Sequence, residues 1–240
     1  MNLDHLQQFP NQLVDGDPSE CVALSVADIA GNIDSQLYDP DIIYAYTLRL
    51  MGQQPNTGGL DPYTGMLCPV VYGLLPISLE TFTAKTMGEL YVANYQNYTP
   101  DERIAALKWA RRGVMPLYSY AEIAGYLSAY RTGVSLAVKW YESFNTPNQD
   151  GTLPAPVGAF SYHNVAVYEE TDKGFRVKPW LGPQFGDGGY VYMSETTLEL
   201  VYQSAYGFDP NAWRWLSLAK IAVTHSWDII DILPILKTTS

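Results

Sequence analysis

A cysteine and a histidine far apart in the chain have the residue types needed for nucleophilic catalysis. Cys21 follows the sequence Asp-Pro-Ser-Glu at 17–20, where a capping Asp, a Pro at the first helical position and a Glu at the third predict the start of a helix. In a first helical turn, the helix dipole and the backbone N–H groups favour thiolate over thiol. His163 lies in the alternating segment 162–168. Each residue also has a structural interpretation, as a buried thiol or as a hydrogen-bonded histidine in a strand.

The elements that must position these two residues follow one another in a clear order. Sequence patterns typical of helices occupy the first half of the chain. Asp39-Pro40 predicts a helix start, and residues 61–77 predict a short or kinked helix that contains Pro69. Capping boxes precede two further predicted helices, at 103–112 and 123–131. Strand signals follow at 134–140, in a hairpin of 162–168 and 174–180 across a turn at 171–174, and at 190–193. This order predicts an α+β domain in which helices precede an antiparallel sheet.

Composition narrows the classes of function. The 240-residue chain carries a formal net charge of −11, which repels nucleic acids and anionic membrane surfaces. We therefore expect neither nucleic-acid nor membrane binding. The two cysteines, Cys21 and Cys68, are too few for a disulfide framework, and the N-terminal residues show no secretory signal. We therefore expect a reducing, cytoplasmic location, with Cys68 a buried thiol to which we assign no role.

Three sequence blocks carry a resemblance to a known family. The sequence Cys-Val-Ala-Leu-Ser at 21–25 is similar to the C-x-A-x-S helix of papain-like cysteine peptidases, and 163–167 resembles the histidine strand of that family. The separation of 142 residues between Cys21 and His163 falls within the roughly 130 to 150 residues expected. Residues 178–190 are similar to the N-S-W-G…W-G-x-x-G-Y stretch of the family. The resemblance extends over about residues 10 to 206.

The resemblance implies a papain-like fold, with a helical N-terminal half, an antiparallel sheet in the C-terminal half and an active-site cleft between them. It implies that Cys21 attacks a peptide carbonyl, that His163 protonates the leaving amine, and that the Gln12 amide and the backbone N–H of Cys21 stabilise the oxyanion. Trp180 corresponds to the tryptophan that shields the catalytic hydrogen bond. Gly58 and Gly59 resemble a glycine pair that lines the substrate cleft, or form a plain loop. The expected partner is a peptide or protein substrate, and neither a metal nor another cofactor is implied.

Lys178 departs from the family pattern. It occupies the position of an asparagine that accepts a hydrogen bond from the histidine ring, and a lysine has three donors and no acceptor. Its ammonium would also disfavour an imidazolium nearby. Unless the lysine turns away and another acceptor orients the ring, turnover should suffer.

Two functions therefore remain open. The first is a cytoplasmic or virus-encoded papain-like thiol peptidase. The second is a catalytically inactive fold that serves as a structural or assembly component of a larger complex, such as a phage virion. A transglutaminase or cell-wall amidase fits less well, because the glycine-rich block after Trp180 matches papain-like peptidases better.

The C-terminal residues differ in character from the rest of the chain. After Gly207 comes an apolar segment that contains three of the six tryptophans. We expect a peptidase domain at 1–206 and an apolar helical extension at 207–240. An apolar helix must be covered, so the extension is a candidate docking element for a protein partner.

Overall fold

A computed structural model of the chain describes residues 20–54, 59–79 and 100–212. The helices of these ranges are α1 (Cys21–Asp34), α2 (Pro40–Leu50), α3 (Pro62–Val71), α4 (Pro100–Lys108), α5 (Tyr120–Tyr130) and α6 (Glu195–Val201), with short 3-10 helices at Ile77–Leu79 and Glu142–Asn145. The strands are β1 (Val114–Leu117), β2 (Val134–Tyr141), β3 (Phe160–Thr171), β4 (Gly174–Lys178), β5 (Val191–Met193) and β6 (Tyr202–Phe208). The predicted α+β class is confirmed.

The six strands form one antiparallel sheet in the order β1-β6-β2-β3-β4-β5. β3 and β4 form the predicted hairpin, which closes at the pair Thr171 and Gly174. Gly174 has φ +105°, and a Cβ there would lie 2.3 Å from the carbonyl oxygen of Met193, so only glycine fits this turn. The hairpin places the strand that contains His163 beside the strand that ends at Lys178.

The helix starts follow local capping chemistry, as expected. The Asp39 carboxylate accepts from the backbone N–H of Asp41 at the start of α2, and the Ser119 hydroxyl accepts from the N–H of Glu122 at the start of α5. α3 contains Pro69, as predicted. α4 ends at Lys108, however, and not at residue 112. There the chain leaves the helical path, since the N–H of Arg111 donates to the carbonyl of Pro69 on α3.

Three elements were missed by the sequence patterns: β1, α6 and β6. β1 contains Pro116, which is exposed and lies on an edge strand paired with β6 alone, where a missing N–H is tolerated. β6 lies between β1 and β2 and includes residues 207 and 208. The hydroxyl of Tyr126 donates to the Phe208 carbonyl at 2.7 Å. The boundary expected at 206 therefore cuts a strand of the sheet, and residues 213–240 of the expected extension lie outside the described residues.

The sheet separates two apolar cores. On one face, Ala166 and Tyr168 of β3 pack with α1, α2 and α3. On the other face, Val165 and Val167 of β3 pack with α5 and with residues of α6. The alternation of side chains along β3 therefore directs its neighbouring residues to opposite faces. The described residues contain no helix that is both long and apolar enough to span a bilayer.

Candidate active site

Cys21 is the first residue of α1, so the thiol lies in the first helical turn as the sequence predicted. Glu20 occupies the capping position without a side-chain cap, and the expected cap at Asp17 lies outside the described residues. The start of α1 is held by close packing against α3. A Cβ on Gly65 would lie 2.3 Å from Cγ1 of Val22, so the glycine permits an approach that a larger residue would prevent.

The Cys21 sulfur lies against the strand that contains His163. The backbone N–H groups of Asn164 and Val22 hydrogen-bond to the sulfur and favour its thiolate form. Burial acts in the opposite direction and is the larger effect, because Cys21 is only 8% exposed. The pKa of Cys21 is therefore raised from 9.0 to about 11. The expected thiolate is not the resting form at neutral pH, since desolvation outweighs the N–H groups of the helix start.

The His163 ring is oriented by a backbone carbonyl. Its Nε2 lies 2.8 Å from the carbonyl oxygen of Pro179. Because a carbonyl only accepts, Nε2 must carry the proton, and in the neutral ring the lone pair then lies on Nδ1. Burial lowers the pKa of His163, and the bond to Pro179 opposes that shift only in part. The resting ring is thus a neutral imidazole with a base at Nδ1.

Trp140 provides the aromatic contact with this ring. It lies on β2 and meets His163 edge-on, with ring centroids 5.3 Å apart and planes at 74°. Its own Nε1 donates to Oδ1 of Asn145 at 3.0 Å, which fixes the indole. Trp180, the tryptophan that the resemblance assigns to covering the catalytic hydrogen bond, is buried and donates from Nε1 to Oγ of Ser25 at 3.3 Å.

Lys178 turns away from the histidine. Its Nζ lies 3.5 Å from Oδ1 of Asp28 on α1 and 4.5 Å from the centroid of the Trp180 ring. The side chain that stands at the usual asparagine position therefore pairs with an acid on the helix. The carbonyl of the next residue, Pro179, takes over as acceptor for His163.

Asp28 is the centre of a buried polar network that sequence reasoning missed. It is fully buried, and it accepts hydrogen bonds from the Tyr168 hydroxyl and the Lys178 ammonium. Burial raises the pKa of Asp28 to about 6 although both partners act to lower it, and burial lowers the pKa of Lys178. The spacing of Cys21, Ser25 and Asp28 places all three on one face of α1. An acid on that face of an apolar helix is visible in the sequence and could have indicated the buried polar network. No side-chain signal points to the Pro179 carbonyl.

Gln12, Gly58, Gly59 and Cys68 were also singled out from the sequence. Gln12 and Gly58 lie outside the described residues, and Gly59 is exposed. Cys68 is a free, fully buried thiol in α3, and burial raises its pKa to about 12. Within the described ranges, no cluster of three or more His, Cys, Asp or Glu side chains is placed to hold a metal ion.

Three solved structures of cysteine proteases are similar to this architecture. No protein-family model matches the chain, and a search of curated proteins found no significant similarity. Xylellain, a cysteine protease from Xylella fastidiosa, matches at a TM-score of 0.61 and 13% identity, over 79% of this chain and 79% of xylellain. The Carica candamarcensis cysteine protease CMS1MS2 in complex with E-64 matches at 0.61 and 14%, over 86% of this chain and 95% of that protein. The bromelain protease from Ananas comosus, in complex with the E64 inhibitor, matches at 0.55 and 14%, over 82% of this chain and 90% of that protein. The chain therefore has the papain-like fold.

Proposed function

We propose that the protein is a cysteine-type peptidase that cleaves peptide bonds through an acyl-enzyme formed on Cys21. The observation that carries this proposal is the orientation of His163 by the Pro179 carbonyl, at 2.8 Å, on the strand against which the Cys21 sulfur lies. A base with a fixed tautomer, on a strand whose next residue, Asn164, directs its backbone N–H at the thiol, supports an assignment to nucleophilic catalysis. The papain-like fold supports the same assignment.

The directions of the two pKa shifts favour attack by a neutral pair, the Cys21 thiol and the His163 imidazole. Because burial disfavours both the thiolate of Cys21 and the imidazolium of His163, the thiol proton moves to Nδ1 as the sulfur attacks the substrate carbonyl. The backbone N–H of Cys21 would stabilise the resulting oxyanion, together with the Gln12 amide implied by the resemblance. The C–N bond then breaks, and His163 returns the proton to the leaving amine.

Deacylation uses the same base. His163 takes a proton from water, the hydroxide oxygen bonds to the acyl carbon, and the C–S bond breaks to release the carboxylic acid product. The proton held at Nδ1 returns to the sulfur, which regenerates the neutral pair. Lys178 is a positioning residue in this scheme, since its pair with Asp28 fixes the end of β4 from which the Pro179 carbonyl projects.

A second function is favoured by the burial of the nucleophile. With Cys21 only 8% exposed and its pKa raised to about 11, the site holds little thiolate at neutral pH. A papain-like fold that serves as an assembly component of a larger complex would tolerate such a thiol. In that case the part of the predicted docking element that follows β6 would contact the partner.

Covalent labelling separates the two functions. We expect E-64, the inhibitor bound in two of the similar structures, to form one adduct per chain at Cys21. Cys21→Ala should abolish both the adduct and the hydrolysis of a peptide library, whereas the control Cys68→Ala should retain both, because that thiol is fully buried in α3. A folded wild-type chain that neither forms an adduct nor cleaves any peptide would overturn the peptidase assignment and leave the assembly role.

A further inference from the structure

A cavity lies at the end of α1 opposite to Cys21. Its volume is about 560 Å³, within the range of small-molecule sites. Asn32, on its wall, follows Cys21 by eleven residues, which corresponds to roughly 16 Å along the helix axis. The cavity is thus separate from the candidate active site. Its arginines are Arg111, Arg112 and Arg131.

Positive charge dominates this cavity although the chain carries a net charge of −11. Arg111 pairs with Asp34, whereas Arg112 and Arg131 have no carboxylate partner among the described residues. Nη1 of Arg112 donates only to a neutral acceptor, the Pro210 carbonyl, at 3.3 Å. The acid on the wall, Asp209, is engaged by the backbone N–H of Asn211 at 2.9 Å. Within the described residues, Arg112 and Arg131 therefore contribute two positive charges that no salt bridge engages, against the negative charge of Asp209 on the same wall.

Unpartnered polar atoms lie around the same cavity. Oγ1 of Thr132, a residue only 8% exposed, has no hydrogen-bond partner in the described part of the chain. The same holds for Nδ2 of Asn32 and Nε of Arg111, which are also buried. Each such group costs about 1–3 kcal/mol when it is left unpaired. All three atoms can donate, and they lie beneath the cavity surface, at which the exposed side chains of Arg112 and Arg131 are accessible to a ligand.

We propose that this cavity binds a small molecule through an oxyanion group, a carboxylate or a phosphate. Guanidinium groups form charge-assisted hydrogen bonds to both groups. Arg131 ends α5 in the left-handed conformation common at helix C-termini, with φ +51°. This inference is independent of the proposed peptidase function.

Equilibrium binding to the full chain tests the proposal. We expect citrate, a carboxylate probe, or pyrophosphate, a phosphate probe, to bind saturably at one site per chain in isothermal titration calorimetry. Arg112→Gln and Arg131→Gln should each weaken binding by about tenfold, as expected for a lost charge-assisted hydrogen bond. Lys139→Gln removes one positive charge from β2, away from the cavity, and is the matched control. It should change the dissociation constant by less than about twofold.

The outcomes distinguish a carboxylate from a phosphate ligand, and they separate this proposal from the peptidase assignment. Tighter binding of citrate assigns a carboxylate ligand, and tighter binding of pyrophosphate assigns a phosphate. Binding should persist in Cys21→Ala, so the proposed oxyanion site does not depend on the peptidase assignment. Arg131→Gly removes the charge and relieves the left-handed backbone, and should therefore weaken binding in a chain that is at least as stable. The proposal is overturned if neither probe binds, or if Lys139→Gln weakens binding as much as the cavity variants do.

Discussion

The reactivity of Cys21 should rise steadily with pH. We expect the rate of its alkylation by iodoacetamide to increase about tenfold per pH unit between pH 6 and pH 10. The reason is that burial holds the pKa of the thiol at about 11, so the thiolate fraction grows across this whole range. The lowered pKa of His163 works in the same direction, because the ring is neutral at pH 7 and supplies no positive charge to stabilise a thiolate.

The size of the pKa shift determines how slowly Cys21 should react with iodoacetamide. A rise in pKa from 9.0 to about 11 reduces the thiolate fraction at neutral pH by about 100-fold relative to an ordinary thiol. A thiolate of higher pKa is intrinsically more nucleophilic, and two pKa units restore about tenfold. The net rate at pH 7 should therefore be about tenfold below that of a free cysteine. Restricted access to a side chain that is 8% exposed would reduce it further.

Peptide-level mass spectrometry of the alkylated native protein provides the assay, because it distinguishes Cys21 from Cys68. Cys68 is the internal control, and it should stay unlabelled until the protein unfolds, since it is fully buried. A rate for Cys21 that is constant between pH 5 and pH 8, and equal to or above that of a free thiol, would show a preformed thiolate. That result would refute the neutral-pair reasoning.

Three further predictions concern the polar network at Asp28, the asparagine position and the end of β6. Asp28→Asn should lower the free energy of unfolding by about 3 kcal/mol in urea titrations, because it leaves the Lys178 ammonium buried without its counter-charge. Combining it with Lys178→Met should lower the free energy of unfolding by less than the sum of the two single changes. Strict additivity would show that the pair does not interact. Lys178→Asn should not accelerate E-64 labelling, because the Pro179 carbonyl already accepts from the ring; a faster rate would show that the asparagine position is the true acceptor site. Phe208→Ala should cost about 3–4 kcal/mol in the same unfolding assay, because Phe208 is buried in the sheet; an effect below 1 kcal/mol would place residues 207–208 outside the core.

Local signals accounted for most of the fold. Capping residues identified the starts of α2 and α5, and period-two alternation identified β2 and the hairpin of β3 and β4. These features depend on neighbours in sequence, so a single chain reveals them. β1 and β6 were missed because Pro116 and the polar residues of β6 do not form a strand pattern. Their pairing is decided by contacts across the sheet.

The side chains proposed for the site stood out in the sequence, whereas the backbone acceptor did not. Cys21 and His163 stood out because thiol and imidazole are rare and their spacing is distinctive. The acceptor that orients His163 is a carbonyl, and every residue has one, so nothing marks Pro179 in the sequence. The direction of the Cys21 pKa shift was also beyond a sequence argument. The helix start favours thiolate, and only the packing around the sulfur shows that burial is the larger effect.

The tautomer of His163 tests the central claim most directly. Nitrogen-15 NMR of histidine-labelled protein, with the His163 signals assigned through a His163→Gln variant, reports which ring nitrogen carries the proton. We predict a neutral ring at pH 7 with the proton on Nε2, and a titration midpoint below 6.5 because burial lowers the pKa. A ring protonated on Nδ1, or an imidazolium at pH 7, would contradict the account.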